Sequence, residues 1–424
     1  MQVITWDKSA GRKQAGVKKL AFDRELFQKV HRVLNDVREN GDSALHRYTK
    51  EFDGVDISAK RLRVKEADIN AAFERINTDL VPILKHVTEN VRQYYERDLP
   101  KPFKIKRRDG TVLSKRYGPL ERVGVYVPGG TAPLVSTVYM TVLPAKVAGV
   151  KEIALCTPPN RDTGDINPYI LAVANLMGVH EIYRLGGAQA IGALAFGTKT
   201  IPAVDKIVGP GNQYVTEAKR QVFGFVDIDM VAGPSEVAIL ADKTADPTYV
   251  TCDLLAQGEH FGGVVYLVTD SKKLAEQMKK RLELGTIILV SNMAEGCEAI
   301  NAIAPEHLEI FARSPERWLK HIHHAGAIFL GPHTPAVVGD YTAGPSHVLP
   351  TGGTARYFSP LSSSMFVKGS QVMYYTKEAL EKERPYVSTL TKIEGLILHR
   401  ISMEARFQNL SMHDGHGKET AHGK

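Results

Sequence analysis

At 424 residues the chain can bury more than one core, and its 43% hydrophobic and 24% charged residues are those of an ordinary globular protein, which excludes a disordered or fibrous chain. The net charge of +7 is carried by Lys and Arg interleaved with Asp and Glu, so no nucleic-acid track is expected, and no run approaches the roughly 20 apolar residues of a membrane span. Cys156, Cys252 and Cys297 fit no metal or redox spacing, and the opening MQVITWDKSAGRKQ lacks an apolar signal core, so a reducing, cytoplasmic location is expected.

The first region, from about Phe22 to Glu96, is charged and helically patterned. Leu26, Val30, Val33, Leu34 and Val37 recur at spacings of three and four, as do Leu80, Ile83, Leu84, Val87 and Val91 within 79–97. Both read as scaffold. The basic run KPFKIKRRDG, 101–110, reads as a solvated loop or hairpin.

From Leu120 the character changes. RVGVYVPGGTAPLVSTVYMTVLPAKVAGVKEIALCTPPN reads as strand, glycine turn, helix and strand, and EIYRLGGAQAIGALAFG and DKIVGPGNQYVTEAKRQVFG repeat the scheme. Apolar strands that end in glycine turns and lead into helices are what a parallel sheet with crossover helices requires. The dinucleotide fingerprint itself is incomplete, because Tyr214 occupies the third glycine position of GPGNQYV. What remains is Tyr126 after a strand, the turn Pro128-Gly129-Gly130, Gln189 after Gly186-Gly187, and Asn212 after Gly209-Pro210-Gly211. Such turns let backbone approach a ligand closely and helix N-termini favour its phosphates, although glycine turns also serve as plain punctuation.

A further strand, in IDMVAGPSEVAILAD, precedes a helix opening near Asp246-Pro247. That helix carries Gln257 and His260 three apart near its C-terminal end. Imidazole suits zinc and a glutamine oxygen is an uncommon ligand, so the pair alone reads first as surface or cap polarity. Strand TIILVS, helix MAEGCEAINAI and strands in APEHLEIFA and AGAIFLG follow. Glu306-His307, after a proline at a helix end, joins a carboxylate to an imidazole, which suits proton transfer at neutral pH; an exposed turn is the bland alternative. The stretch GPHTPAVVGDYTAGPSHVLPTGGTARYFSPLS reads as irregular and contains Asp340, His347 and Arg356. In STLTKIEGLILHRISMEARF, Glu394 and His399 are five apart and point to different faces unless the helix kinks at Gly395. The tail SMHDGHGKETAHGK is expected to be disordered, with His413, His416 and His422 fit only for loose metal capture.

Taken in order, VGVYVPGGTAPL, GGAQAIGALAFGT, VGPGNQYVTEAKR, IDMVAGPSE, LLAQGEH, APEHLE, GDYTAGPSHVLPTGGTARYFSPLS and EGLILH resemble the histidinol dehydrogenase family, over about residues 20–407. The resemblance implies a zinc-dependent, NAD-linked, four-electron oxidation of L-histidinol to L-histidine through a bound aldehyde, using two NAD, as the last step of histidine biosynthesis. It implies an α/β fold of two Rossmann-like parallel-sheet domains of related architecture, with small N-terminal and C-terminal helical segments, in a domain-swapped homodimer with shared active sites. The expected boundaries are an N-terminal segment 1–21, a first domain of 22–125 with 237–361, an NAD-contacting second domain 126–236, a dimerisation segment 362–410 and the tail 411–424.

On the same resemblance Gln257, His260 and Asp340 hold one zinc per subunit, completed by His399 of the partner subunit. Glu306 and His307 are catalytic, with His307 as the base for hydride transfer and Glu306 activating the hydrating water. Ser235, Gln257, His260, His307, Asp340, His347, Glu394 and His399 surround the amino alcohol, while Tyr126, Gln189 and Asn212 contact NAD. Phe261-Gly262-Gly263 departs from the continuation usual after the histidine, which keeps a second expectation open: a related zinc and NAD dehydrogenase of another polar primary alcohol, such as a sulfonated diol.

Overall fold

The computed structural model describes residues 2–9, 11, 23–129, 133–259 and 262–408. The histidine-rich tail 411–424 and most of the expected segment 1–21 lie outside the described residues. The chain divides into two units, Met1–Leu99 with Pro119–Val367, and Pro100–Gly118 with Lys368–Lys424. Among the described residues no helix is long and apolar enough to cross a membrane.

In chain order the strands are β1 (Gln2–Thr5), β2 (Phe103–Lys106), β3 (Val112–Pro119), β4 (Arg122–Tyr126), β5 (Glu152–Thr157), β6 (Glu181–Arg184), β7 (Lys206–Val208), β8 (Asp227–Ile228), β9 (Glu236–Ala241), β10 (Val264–Thr269), β11 (Thr286–Leu289), β12 (His307–Phe311), β13 (Ala327–Leu330) and β14 (Val367–Tyr374). The first unit carries two sheets, ordered β6-β5-β4-β7-β8 and β1-β11-β10-β9-β12-β13, and every strand pair in them is parallel. Counted from its own first strand, β4 or β9, each sheet runs third, second, first, fourth, fifth, with β1 added beyond β11. The architecture is therefore mixed α/β with parallel sheets, as expected.

The strands take this form because helices cover them on both faces. β9, EVAILA, and β12, HLEIF, are buried at every position, the near-continuous apolar reading of a two-sided parallel strand. Helix Val135–Val147, after β4, buries nine of its side chains, which fits an element packed between layers. Helix Arg24–Asn40 is capped by Asp23, whose carboxylate accepts from the N–H groups of Glu25 and Leu26. Its Val30, Val33, Leu34 and Val37 are buried against the β4 sheet's helices, at about 1.5–3 kcal/mol each. A side chain on Gly192 would meet Leu34 at 3.1 Å, so that crossing depends on the absence of one. Helix Leu80–Asp98 buries Leu84, Val87, Val91 and Tyr95, whereas Ile83, expected on the same stripe, is 56% exposed.

Three expectations need correction. The start of the chain, expected as part of a small helical segment, forms β1 at the edge of a sheet, because β11 offers Gln2–Thr5 a ladder that local sequence cannot announce. The boundary at 125/126 cuts through β4, which pairs with β5 and β7 and so belongs to the sheet that follows. The stretch after Leu330 is not wholly irregular, since Ala336–Tyr341 is a short helix and carries Asp340.

The second unit is built on a sheet ordered β14-β3-β2. The basic run forms the first strand and turn of the antiparallel β2/β3 hairpin, closed by Arg107 N–H to the Thr111 carbonyl at 2.9 Å. Helix Lys377–Ile393 stops near Gly395, whose φ of 70° breaks it from helix Ile397–Glu404. Arg384 Nε and Ser388 Oγ donate to Glu404 at 2.9 and 2.8 Å and hold the two helices together.

Candidate active site

Helix Met293–Ile303 ends on Ala304 with φ 54°, the one non-glycine residue with positive φ among those described. That conformation costs an L-residue roughly 1–2 kcal/mol, and it swings Pro305, Glu306 and His307 into the start of β12. A Cβ on Gly326 would lie 2.6 Å from the Glu306 carbonyl oxygen, which instead accepts from Ala327 N–H at 2.8 Å. Glu306 and His307 are each only 5% exposed, so the exposed-turn alternative is excluded.

Both side chains are engaged from neighbouring elements. Glu306 Oε2 accepts from the backbone N–H of Glu236, at the start of β9, at 2.8 Å, and the Ser235 hydroxyl bonds to the same carboxyl. Burial pushes the Glu306 carboxyl up to about 7, against the pull of His307. His307 Nε2 lies 3.2 Å from Asp340 Oδ1, and Nδ1 lies 3.3 Å from the Glu236 carbonyl and 3.7 Å from Glu306 Oε2. Burial opposes charge on this ring, but Glu306 and then Asp340 outweigh it and hold its proton affinity up at about 9. Phe329 stacks on the ring at a centroid distance of 5.9 Å and limits its rotation. His347 Nδ1 meets the Asp340 carbonyl at 2.9 Å and Nε2 meets Thr137 Oγ1 at 3.3 Å.

Gln257 closes helix Pro247–Gly258 and is 6% exposed, with its Nε2 buried and without a partner. One turn earlier, the Asp253 carboxyl faces Glu309 of β12, and Glu309 Oε1 accepts from Ala336 N–H at 2.7 Å. Burial and the facing Asp253 carboxyl push the Glu309 carboxyl well above the usual carboxylate range. Glu309 thereby ties the helix of Gln257 and the helix of Asp340 to one strand. Four helical residues and two strand residues each span about 6 Å, so Gln257 falls alongside His307.

His260 lies outside the described residues. Among the described residues no group of three or more His, Cys, Asp or Glu is set to hold a metal ion. The expected set includes a glutamine, His260, and His399 in the second unit. Glu394 and His399 are exposed and stand on opposite sides of the Gly395 break. Sequence reasoning missed Glu236, Asp253 and Glu309. The signal was an acidic residue inside otherwise apolar strands, as in SEVAILA and HLEIF, because a carboxylate is almost never buried without a partner.

The β4 sheet offers a different kind of surface. Its order reverses between β4 and β5 on one side and β7 on the other, and the glycine turns lie at its carboxyl edge, where ligands of open α/β sheets bind. Tyr126 ends β4 with its hydroxyl accepting from Gly187 N–H at 3.2 Å. Gly209, with φ 116°, passes so close that a Cβ would sit 2.1 Å from the Tyr126 carbonyl oxygen. Its N–H donates to Asp229 Oδ2 at 2.8 Å and its carbonyl accepts from Lys219 Nζ at 2.9 Å, while Lys219 and Asp229 pair with each other in the core. Asn212 caps helix Gln213–Val222, accepting from Tyr214 and Val215 N–H at 3.0 and 3.1 Å. Gln189 is fully buried, and both polar atoms of its amide lack a hydrogen-bond partner. Gly130 of the first turn lies outside the described residues. Helix Val135–Val147 leads from this edge to the acid–base cluster, through Thr137 on His347 and Tyr139 Oη donating to the Tyr341 carbonyl at 2.9 Å.

Parallel sheets, glycine turns cut close to the backbone, and a buried carboxylate–imidazole pair define the class as an α/β fold with a nucleotide-type ligand edge and an acid–base pair. The family model described as histidinol dehydrogenase matches residues 18–407. The chain is 45% identical over 411 residues to the histidinol dehydrogenase of Bacillus subtilis, covering 92% of this chain and 95% of that protein. It is 44% identical over 403 residues to that of Clostridium acetobutylicum, covering 91% and 93%. The crystal structure of histidinol dehydrogenase from Elizabethkingia anophelis matches with a TM-score of 0.90 at 35% identity, over 96% of this chain and 98% of that one. The chain belongs to the histidinol dehydrogenase family and is an NAD-dependent oxidoreductase.

Proposed function

We propose that the chain oxidises L-histidinol to L-histidine through a bound aldehyde, with two NAD in turn, as the last step of histidine biosynthesis. The observation that carries this reading is the buried Glu306-His307 pair, with His307 held between Glu306 and Asp340. His307 takes the hydroxyl proton at Nε2 during the first hydride transfer. The Nε2 atom that Asp340 holds here becomes free to act as the base when that carboxylate turns to another partner, as the ligand role of Asp340 requires. Glu306, near 7, is matched to deprotonating the water that hydrates the aldehyde. Ser235 and His347 line the substrate, and Glu394 reaches it from the partner subunit.

A carboxylate, an amide oxygen and two imidazoles suit zinc, and the orphaned Nε2 of buried Gln257 fits an amide whose oxygen is reserved for a cation. Gln257, His260, Asp340 and His399 of the partner subunit would hold it, one ion per subunit. When bound, zinc would supply orientation of the substrate. Tyr126, Gln189 and Asn212 would contact NAD, which would supply the hydride acceptor.

A homodimer with swapped C-terminal segments accounts for the apolar face of the second unit, where Ile393 is 76% and Leu398 72% exposed. In this reading the two sheets are the cores of two Rossmann-like domains of related architecture, 362–410 is the dimerisation segment, and the protein is cytoplasmic.

The deciding experiment is NADH formation with L-histidinol against a panel of diols and amino alcohols. Turnover of histidinol is expected. Its absence at every zinc level, above all with turnover of a sulfonated diol, overturns the reading. Mixing His399→Asn with Asp340→Asn protein should restore one intact site per heterodimer, and no recovery would reject the shared site.

A further inference from the structure

The π-type turn Thr49–Asp53, ended by Gly54 with φ 74°, brings Asp53 to the carboxyl edge of the β4 sheet. A Cβ on Gly186 would lie 3.4 Å from Asp53 Oδ1 and 2.7 Å from Pro158 Cβ, so the carboxylate abuts the Gly186-Gly187 turn directly. Arg161 donates to the Phe52 carbonyl at 3.1 Å and anchors the Asp53 turn to the loop after β5. Asp53 Oδ2 is buried and meets no hydrogen-bond donor, and burial pushes the carboxyl up to about 6 against the pull of Arg161. Asp53 as a whole is half-buried, but an oxygen shut off from water without a donor destabilises a fold, and nothing in the packing of this turn calls for one.

Its neighbours are in the same condition. Thr157 Oγ1 and both polar atoms of the Gln189 amide are buried without partners. Glycine faces each of them closely, with Gly129 Cβ positions 2.7 Å from Thr157 Oγ1 and Gly187 Cβ positions 2.6 Å from Gln189 Oε1. Helix Gly187–Phe196 starts here, with the Gly187 N–H already on Tyr126, so the positive end of the helix suits a phosphate, which a carboxylate would repel. What Asp53 can meet on a dinucleotide is therefore a donor away from the pyrophosphate.

We propose that Asp53 reads the adenosine ribose, accepting a hydrogen bond from its 2′-hydroxyl at Oδ2, and so selects NAD over NADP, which carries a phosphate at that position. This rests on the assignment of the dinucleotide to the β4 edge. A carboxylate accepts from a hydroxyl and rejects a second anion, so one side chain supplies both the attraction and the exclusion.

The test is equilibrium binding of NAD, NADP and 2′-deoxy-NAD to the full-length, zinc-loaded protein, to Asp53→Asn, and to Gln189→Ala as a control on the site. The native protein should bind NAD about 10–100-fold more tightly than either analogue, the range for loss of a charge-assisted hydrogen bond. Asp53→Asn, an isosteric change whose folding is checked by thermal melting, should lose most of both preferences, and Gln189→Ala should weaken all three nucleotides together. Equal affinity of the native protein for NAD and 2′-deoxy-NAD overturns the proposal without any substitution. So does retention of both preferences in Asp53→Asn while Gln189→Ala loses affinity, a result that leaves the site itself standing. If neither variant alters any nucleotide's binding, the dinucleotide does not occupy this edge and the proposal falls with that assignment.

Discussion

The two parallel sheets share one strand order and use opposite edges. The β4 sheet shows its carboxyl edge, where helices begin, and its features there are glycine turns, the Asn212 cap and the orphaned groups of Gln189, Thr157 and Asp53. The β9 sheet shows its amino edge, where strands begin and helices end, and there Glu306, His307 and Asp340 are bonded to one another and to backbone. Helix N-termini carry partial positive charge and C-termini partial negative charge, so the first edge suits phosphates and the second suits a cation beside Gln257, in the last turn of its helix. On the proposed reading, the same fold separates anion recognition from metal and proton chemistry by which end of the strands it exposes.

Substitutions at each edge should separate these tasks. The largest effect is expected for His307→Asn, which should lower kcat by about two to four orders of magnitude while NAD affinity at the other edge stays within about twofold. Equal loss of zinc would make His307 a ligand instead. Next comes Lys219→Met, which leaves fully buried Asp229 without its cation and should cost about 3–5 kcal/mol, read as a lowered urea midpoint. An unchanged midpoint would show that the Gly209 turn does not need the pair.

Smallest is the stability change in Asp53→Asn, and it has a sign. The folded protein holds the Asp53 proton up to about pH 6, whereas an unfolded carboxyl releases it near its ordinary 3.8. Ionisation therefore costs the native fold stability as pH rises from about 4 to 6, and nothing further above that. The Asn variant is free of this decline, so relative to the native protein it should gain on the order of 1–3 kcal/mol between pH 4 and pH 7. A constant difference across that range would mean that the carboxyl is not deprived of water.

Much of this was legible beforehand. The repeated pattern of strand, glycine turn and helix announced parallel sheets, and Tyr126 before its turn and Gln189 and Asn212 after theirs stand at the carboxyl edge. The break at Gly395 followed from a glycine inside a helical pattern, and the second unit has it. Glu306-His307 was visible as a pair, but its burial was not. Asp340 was read into an irregular stretch because a six-residue helix flanked by Pro335 and Thr342 has too short a period to detect.

What the amino-acid order determined by itself is local: which segments alternate or recur, where glycine and proline permit a turn, and which eight motifs follow one another. Only the tertiary structure decided that β1 completes the edge beyond β11, that Glu236 and Ser235 close over Glu306, and that Glu309 binds two helices to one strand. The reason is that burial, proton affinity and ladder pairing depend on groups distant in the chain, and periodicity carries no record of them.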